Sequence, residues 1–254
     1  MEILKKGSKG ENVKFLQKAL GVTIDGDFGP GTEMAVKEFQ KNHGLVADGV
    51  VGNKTWDVIL SNNDGLKIDF KPIEKHITRS KGRKIKYLVI HFTAGSSSEK
   101  GSALATRNVF LSRDASADFV VDDETIVQVN PEPKDYYCWA VGDGRGKYNV
   151  TNANSIHIEI CSRLKKGTTP SVPNHDGWSF SDSSIDNAVK LSRLLMKRYD
   201  IPVENVIRHY DASRKLCPGV IGWNPGVVYD SKTGVKTSER STEDKWKEFK
   251  SKLV

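Results

Sequence analysis

Between residues 11 and 60 the apolar side chains return every three or four positions. Val13, Leu16 and Leu20 make one face, stopped by Gly21; Ala35, Val36 and Phe39 make a second, stopped by Gly44; Thr55 opens a third short helix that buries Trp56 and Ile59. This period predicts a compact three-helix unit ending near Leu60. Its turns repeat. DGDFGPGT at 25–32 returns as DGVVGNKT at 48–55, a shift of 23 residues that matches Asp25, Gly26, Gly29 and Thr32 to Asp48, Gly49, Gly52 and Thr55. Each copy reads as a glycine turn that delivers the chain to a threonine helix cap.

From residue 84 the period drops to two. IKYLVIHFTA places Ile85, Tyr87, Val89 and His91 on one face and carries His91 to the end of a buried strand, before the loop TAGSSSEKGS. A helix over about 104–112 follows, then ADFVVD and TIVQVN as a hairpin around Asp123 and Glu124. SIHIEI at 155–160 sets Ile156, Ile158 and Ile160 against Ser155, His157 and Glu159. SDSSIDNAVKLSRLLMKRY predicts a helix capped near Ser183 with Ile185, Val189, Leu195 and Tyr199 inward, and IPVENVIRH returns to a strand ending at His209. Tyr136, Tyr137, Trp139 and the glycine-rich VGDGRGKYN at 141–149 read as a cleft wall. Elements in this order predict an α/β (α+β) fold, a central mixed β-sheet flanked by helices and preceded by the small all-α unit. The expected boundaries are 1–62 for the helical unit, 63–83 for a linker and lead-in carrying a surface His76, 84–230 for the sheet domain, and 231–254 for a basic helical tail with Trp246 and Phe249 inward.

The 254 residues leave room for one large domain, or for one medium and one small, each with its own core. The longest apolar runs, such as YLVI at 87–90, fall far short of the roughly 20 residues that cross a membrane. MEILKKGSKGENV is charged from its second residue and carries no signal-peptide core, so synthesis in the cytoplasm is expected. The formal charge of +7 is uneven: residues 1–62 hold eight lysines and eight acids, leaving 31 basic against 24 acidic residues beyond. That excess suits an anionic partner, or simply a solvated basic surface. The basic residues are scattered without a helix-turn-helix, zinc-finger or ribonucleoprotein pattern, so nucleic acid is not the expected partner.

Three cysteines, an odd number, do not make a disulfide framework. Cys138 and Cys161 read as buried inert thiols, whereas Cys217 lies in VIRHYDASRKLCPG beside His209 and Lys215. Each of these residues alone reads equally as a satisfied core side chain. His91 and His209, each at a strand end, with Cys217 eight residues on, would supply two imidazole nitrogens and a thiolate, and three protein ligands with an open fourth position suit a catalytic zinc. The Pro218-Gly219 turn can fold the thiolate back toward His209.

Two stretches resemble known families. The run from Gly10 to Leu60, with VKFLQKAL, DGDFGPGT, AVKEFQKNHGL and DGVVGNKTW, resembles the three-helix peptidoglycan-binding domain attached to many cell-wall hydrolases. In that setting Phe28, Trp56 and Gln40 are groove candidates or packing residues, packing being favoured for the aromatics. HFTAG at 91–95, IHIEIC at 156–161 and RHYDASRKLCPG at 208–219 resemble the type 2 N-acetylmuramoyl-L-alanine amidases, the group that includes phage lysozyme-type amidases and the peptidoglycan recognition proteins; the likeness covers roughly 84–223.

This resemblance implies that His91, His209 and Cys217 bind Zn2+, that Glu159 and Lys215 serve the chemistry, and that the reaction hydrolyses the amide between the muramic acid lactyl group and L-alanine. The implied partner is bacterial peptidoglycan, glycan strand and stem peptide, met by a monomer at the cell wall. Without a signal peptide, an endolysin released through a holin is expected. A non-catalytic recognition protein, a class that typically lacks the cysteine, and a zinc peptidase acting on the stem peptide are the alternatives. Where some relatives carry a tyrosine near the metal, this chain has Ala117 and Asp118, which places more weight on Glu159. His157 is left as a contact to a ligand or substrate, or a competing ligand; Asp211 as an orienting group for a histidine or a loop brace.

Overall fold

Gln17 and Gln40, 23 residues apart, make the same four hydrogen bonds. Gln17 sits on α1 (Glu11–Leu20) and directs its Nε2 to Asp25 Oδ1 (2.7 Å), the Asp27 carbonyl (3.0 Å) and Thr32 Oγ1 (3.0 Å), while its Oε1 accepts the Gly26 amide (2.8 Å). Gln40, on α2 (Pro30–Asn42), repeats this with Asp48 (2.9 Å), the Val50 carbonyl (2.9 Å), Thr55 (3.1 Å) and the Gly49 amide (2.9 Å), leading into α3 (Asn53–Asn63). The sequence repeat is therefore a repeated clamp in which a buried amide satisfies a turn that would otherwise bury bare backbone groups. Gly26 and Gly49 sit at φ 76° and 77°, a region that disfavours any side chain.

The threonines are not helix caps, as the spacing had suggested. α2 starts at Pro30 and α3 at Asn53, so Thr32 and Thr55 lie inside the first turns and point into the core toward the glutamines. Phe28 and Trp56 are almost wholly buried, as are Leu4, Val13, Leu16, Val36 and Val51. The two aromatics are core residues, and the Trp56 Nε1 donates to the Glu2 carbonyl (2.9 Å).

The computed structural model describes residues 2–63, 66, 68–142, 149–168, 176–225 and 242–254, and divides into Met1–Lys67 and Ile68–Val254. The second unit is built on a six-stranded sheet. In chain order its strands are β1 (Ile68–Phe70), β3 (Tyr87–Phe92), β4 (Phe119–Val121), β5 (Ile126–Gln128), β7 (Ser155–Ile160) and β10 (Val206–Arg208). They lie in the order β1-β5-β4-β7-β3-β10, parallel throughout except for the antiparallel β4–β5 hairpin. Parallel strands are buried on both faces and so run almost wholly apolar. Ser155, His157 and His91 break that rule inside β7 and β3, and buried polar groups must find partners. α4 (Ser102–Val109) packs on β4 and β5, and α5 (Asp182–Tyr199) runs along β4, β7 and β3. Two small ladders complete the strands: β2 (Ile77–Arg79) with β6 (Tyr136–Cys138), and β8 (Arg163–Leu164) with β9 (Trp178–Ser179).

Several boundaries differ from the sequence reading. α5 is capped by Ser181, two residues before Ser183, whose Oγ accepts the Ser184 amide (3.1 Å). Its buried residues are Ser184, Ala188, Val189, Leu191, Ser192, Leu194, Leu195 and Arg198, so Val189 and Leu195 face inward as expected while Ile185 and Tyr199 are only half-buried. β1 and β2, from the stretch read as linker, are strands of the sheet unit. His76 is half-buried there, its Nδ1 on the Phe110 carbonyl (2.7 Å). At the other end α7 (Asp244–Ser251) also belongs to this unit. Trp246 and Phe249 close on Trp223 at 5.7 and 5.3 Å, and Lys250 donates to the Val206 carbonyl of β10 (2.7 Å). Most of VGDGRGKYN and the 230/231 boundary lie outside the described residues. Among those described, no helix is long and apolar enough to cross a membrane.

Candidate metal centre

β3 and β7 run in register with His91 beside Glu159, so one row of the sheet presents an imidazole and a carboxyl to the same side. β10 ends at Arg208, beside β3, and His209 is the first residue of α6 (His209–Ser213) rather than the last of a strand. The chain leaves α6 through Arg214 at φ 63° and returns, the Tyr210 amide donating to the Cys217 carbonyl (3.0 Å). Three separate segments thus bring His91, His209 and Cys217 together. Their donor atoms all lie within 4.8 Å of one another, with His91 Nδ1 3.0 Å from His209 Nδ1 and 3.8 Å from Cys217 Sγ. All three side chains are buried. Two imidazole nitrogens and one sulfur at such spacing fit around a single metal ion with bonds of about 2.0 to 2.3 Å.

The protonation state of His91 suits a metal ligand. Burial, then the neighbouring His209 and His157, hold His91 well below the usual imidazole range, leaving a neutral ring with a lone pair to give. Burial, followed by the charge of Glu159, pushes the Cys217 thiol up to about 12, with Lys215 opposing. A thiol in such a pocket keeps its proton unless a metal takes its place. Glu159 is raised to about 8 by burial, against the pull of Lys215 and Arg113. Its Oε2 is shielded from solvent and accepts no hydrogen bond from the described residues. Lys215 is half-buried, and its charge acts on His91, Glu159 and Cys217 together. The five residues singled out from the sequence therefore lie near one another, His91, His209 and Cys217 as a three-donor group with Glu159 beside His91 on the sheet and the charge of Lys215 acting on them.

Neighbouring residues fall into supporting places. His157 stands behind His91, its Nδ1 3.1 Å from His91 Nε2, and is not part of the three-donor group. Both Asp211 oxygens are taken by Arg208, at 2.8 and 2.9 Å, so this carboxylate braces the turn into α6. Asp118, where some relatives carry a tyrosine, is wholly buried and accepts the His157 amide (2.8 Å) and Asn130 Nδ2 (2.6 Å). Sequence reasoning missed Arg83. It lay in the supposed linker, yet it is buried and donates to the carbonyls of Pro133, Asn152, Ala153 and Ser155. Cys138 and Cys161 are free, buried thiols.

Residues 81–220, more than half of the sequence, match the family model for N-acetylmuramoyl-L-alanine amidase. The chain belongs to the N-acetylmuramoyl-L-alanine amidase family. Residues 9–59 of this amidase-family chain match the model for a peptidoglycan binding domain. The amidase CwlH of Bacillus subtilis is 31% identical over 156 residues, covering 60% of this chain and 55% of that protein. The zinc D-Ala-D-Ala carboxypeptidase of Streptomyces albus G is 39% identical over 77 residues, 26% of this chain and 30% of that protein. The chain thus spans from under a third to just over half the length of these curated relatives. Among solved structures, a mutant endolysin from Bacillus subtilis is similar at a TM-score of 0.51 and 26% identity, over 74% of this chain and 99% of that one.

Proposed function

We propose that this chain is a zinc-dependent amidase that cuts bacterial peptidoglycan between N-acetylmuramic acid and the L-alanine of the stem peptide. The observation that carries the reading is the convergence of His91, His209 and Cys217 beside a buried carboxyl oxygen of Glu159 that has no hydrogen-bond partner among the described residues. A zinc ion held by those three donors supplies a Lewis acid that polarises a carbonyl and acidifies water toward a pKa of about 7. Glu159, poised near neutrality by its burial, takes the proton of the attacking water at Oε2 and returns it to the departing alanine nitrogen. The Lys215 ammonium, whose charge reaches Glu159 and Cys217, would stabilise the oxygen on which negative charge develops; loss of one such donor costs about 2.7 to 4 kcal/mol. The likeness of residues 9–59 to a peptidoglycan binding domain supports a role for the first unit in holding the chain on the insoluble wall, which raises the local substrate concentration. On this reading the protein works as a monomer in the manner of an endolysin. Cys217 within the donor group favours an enzyme over a binding protein of the same family.

Mass spectrometry of digested cell wall tests the reaction. Free stem peptides beginning with an unblocked L-alanine amine, and glycan with a free lactyl carboxyl, are the expected products. Shortened peptides still attached to glycan would establish a peptidase instead, and wall recovered intact in the presence of zinc would leave only binding.

A further inference from the structure

We propose that Ser155 and His157 are positioning residues: a one-way chain of hydrogen bonds, running from His91 to the Thr151 carbonyl, fixes the tautomer of His91 that leaves Nδ1 bare for the metal. The inference rests on the metal reading above and adds two residues to it.

The direction of the chain follows from its far end. The Thr151 carbonyl can only accept, and Ser155 Oγ lies 2.5 Å from it, so the one hydroxyl proton of Ser155 is committed there. Ser155 Oγ is also 3.1 Å from His157 Nε2 and, with its proton spent, can only accept from it. His157 therefore carries its proton on Nε2 and offers a bare Nδ1. That Nδ1 is 3.1 Å from His91 Nε2, which must then be the protonated nitrogen of His91. The remaining nitrogen, His91 Nδ1, is the atom that faces His209 and Cys217. An imidazole that binds a metal through one nitrogen is oriented and made more basic by an acceptor at the other. Here the usual carboxylate or carbonyl acceptor is reached through two intervening side chains.

The surrounding backbone holds the chain rigid. Arg83 donates to the Ser155 carbonyl (2.8 Å) and Asp118 accepts the His157 amide (2.8 Å), so two neighbouring groups, 3.8 Å apart at Arg83 Nη2 and Asp118 Oδ1, pin both residues. Ser155, His157 and His91 are each almost fully buried, so water does not compete for these bonds. β7 accordingly spends two of its three polar positions on His91 and the third, Glu159, on the reaction.

Two readouts on the full chain test this. Long-range proton–nitrogen correlation spectra of the 15N-labelled protein report which ring nitrogen is protonated, and competition against a chromophoric chelator reports zinc affinity. In the wild type His91 and His157 are both expected to carry hydrogen on Nε2. Ser155→Ala, which removes a single buried hydroxyl, should release His157 into mixed tautomers and weaken zinc binding about tenfold; His157→Leu should weaken it by about 10 to 100-fold. His157→Asn, which keeps an acceptor facing His91, should bind zinc more tightly than His157→Leu. A wild-type His91 protonated on Nδ1 while zinc still binds, or a Ser155→Ala variant with unchanged tautomers and affinity, overturns the relay and leaves the metal reading standing. A wild type that takes up no zinc overturns the metal reading itself, and the titration alone shows it.

Discussion

His91 and Glu159 are direct neighbours across the parallel β3–β7 ladder, so the candidate ligand and the candidate proton carrier are spaced by the sheet and not by a loop. Sites built on strands hold their geometry more closely than sites built on loops. Glu159→Gln should therefore leave fold and zinc content intact while lowering the rate of wall hydrolysis by about 10²- to 10⁴-fold. Turbidity clearance of purified wall, read beside metal analysis, checks both halves; a variant that lyses at the wild-type rate removes Glu159 from the chemistry.

The raised carboxyl gives a sign for stability against pH in the metal-free protein. Native Glu159 keeps its proton up to about 8, while the unfolded chain loses it near 4.5. Between those values the native state binds more protons, so this group makes stability fall as pH rises through that window. Urea titrations at several pH values should show the decline in the wild type and a flatter profile in Glu159→Gln. Parallel profiles would contradict the assignment.

Zinc should act as a stabilising ligand. At free zinc 100 times its Kd, binding contributes about 2.7 kcal/mol. Melting in the presence and absence of chelator should show the shift in the wild type, and Cys217→Ser should reduce it sharply.

In the first unit the repeated glutamine clamp is the feature most open to test. Gln40→Leu strands the Gly49 amide and should cost about 1 to 3 kcal/mol. Hydrogen exchange should show lost protection at Gly49 with Gly26, held by Gln17, unchanged. Retained protection at Gly49 would mean that the clamp does not support the turn.

Helix α7 is read as structural. Trp246 packs against Trp223 and Phe249 and lies beneath the Arg208 guanidinium at 5.3 Å, so Trp246→Ala should cost about 3 to 5 kcal/mol in urea unfolding. A loss below about 1 kcal/mol would place α7 outside the cooperative unit.

Much of this organisation was legible in the chain. The 23-residue repeat and the β4–β5 hairpin follow from local period and spacing, whereas the gathering of His91, His209 and Cys217 was implied by the resemblance of their motifs to the amidases. What escaped were features set by partners far away in sequence. Arg83 looked like linker because its acceptors lie 50 to 72 residues on. The repeated threonines mimic a helix cap, and only the inward glutamines show otherwise. Alternation put Ser155, His157 and Glu159 on one face, but their division between support and chemistry depends on which atoms meet across strands.

The central claim is that one zinc ion is held by His91, His209 and Cys217 in the working enzyme. X-ray absorption at the zinc edge of active protein tests it most directly. The account predicts about one sulfur neighbour near 2.3 Å and two imidazole nitrogens near 2.0 to 2.1 Å, with the sulfur shell lost in Cys217→Ser. Full lytic activity in metal-free protein, or a zinc environment without sulfur, would contradict it.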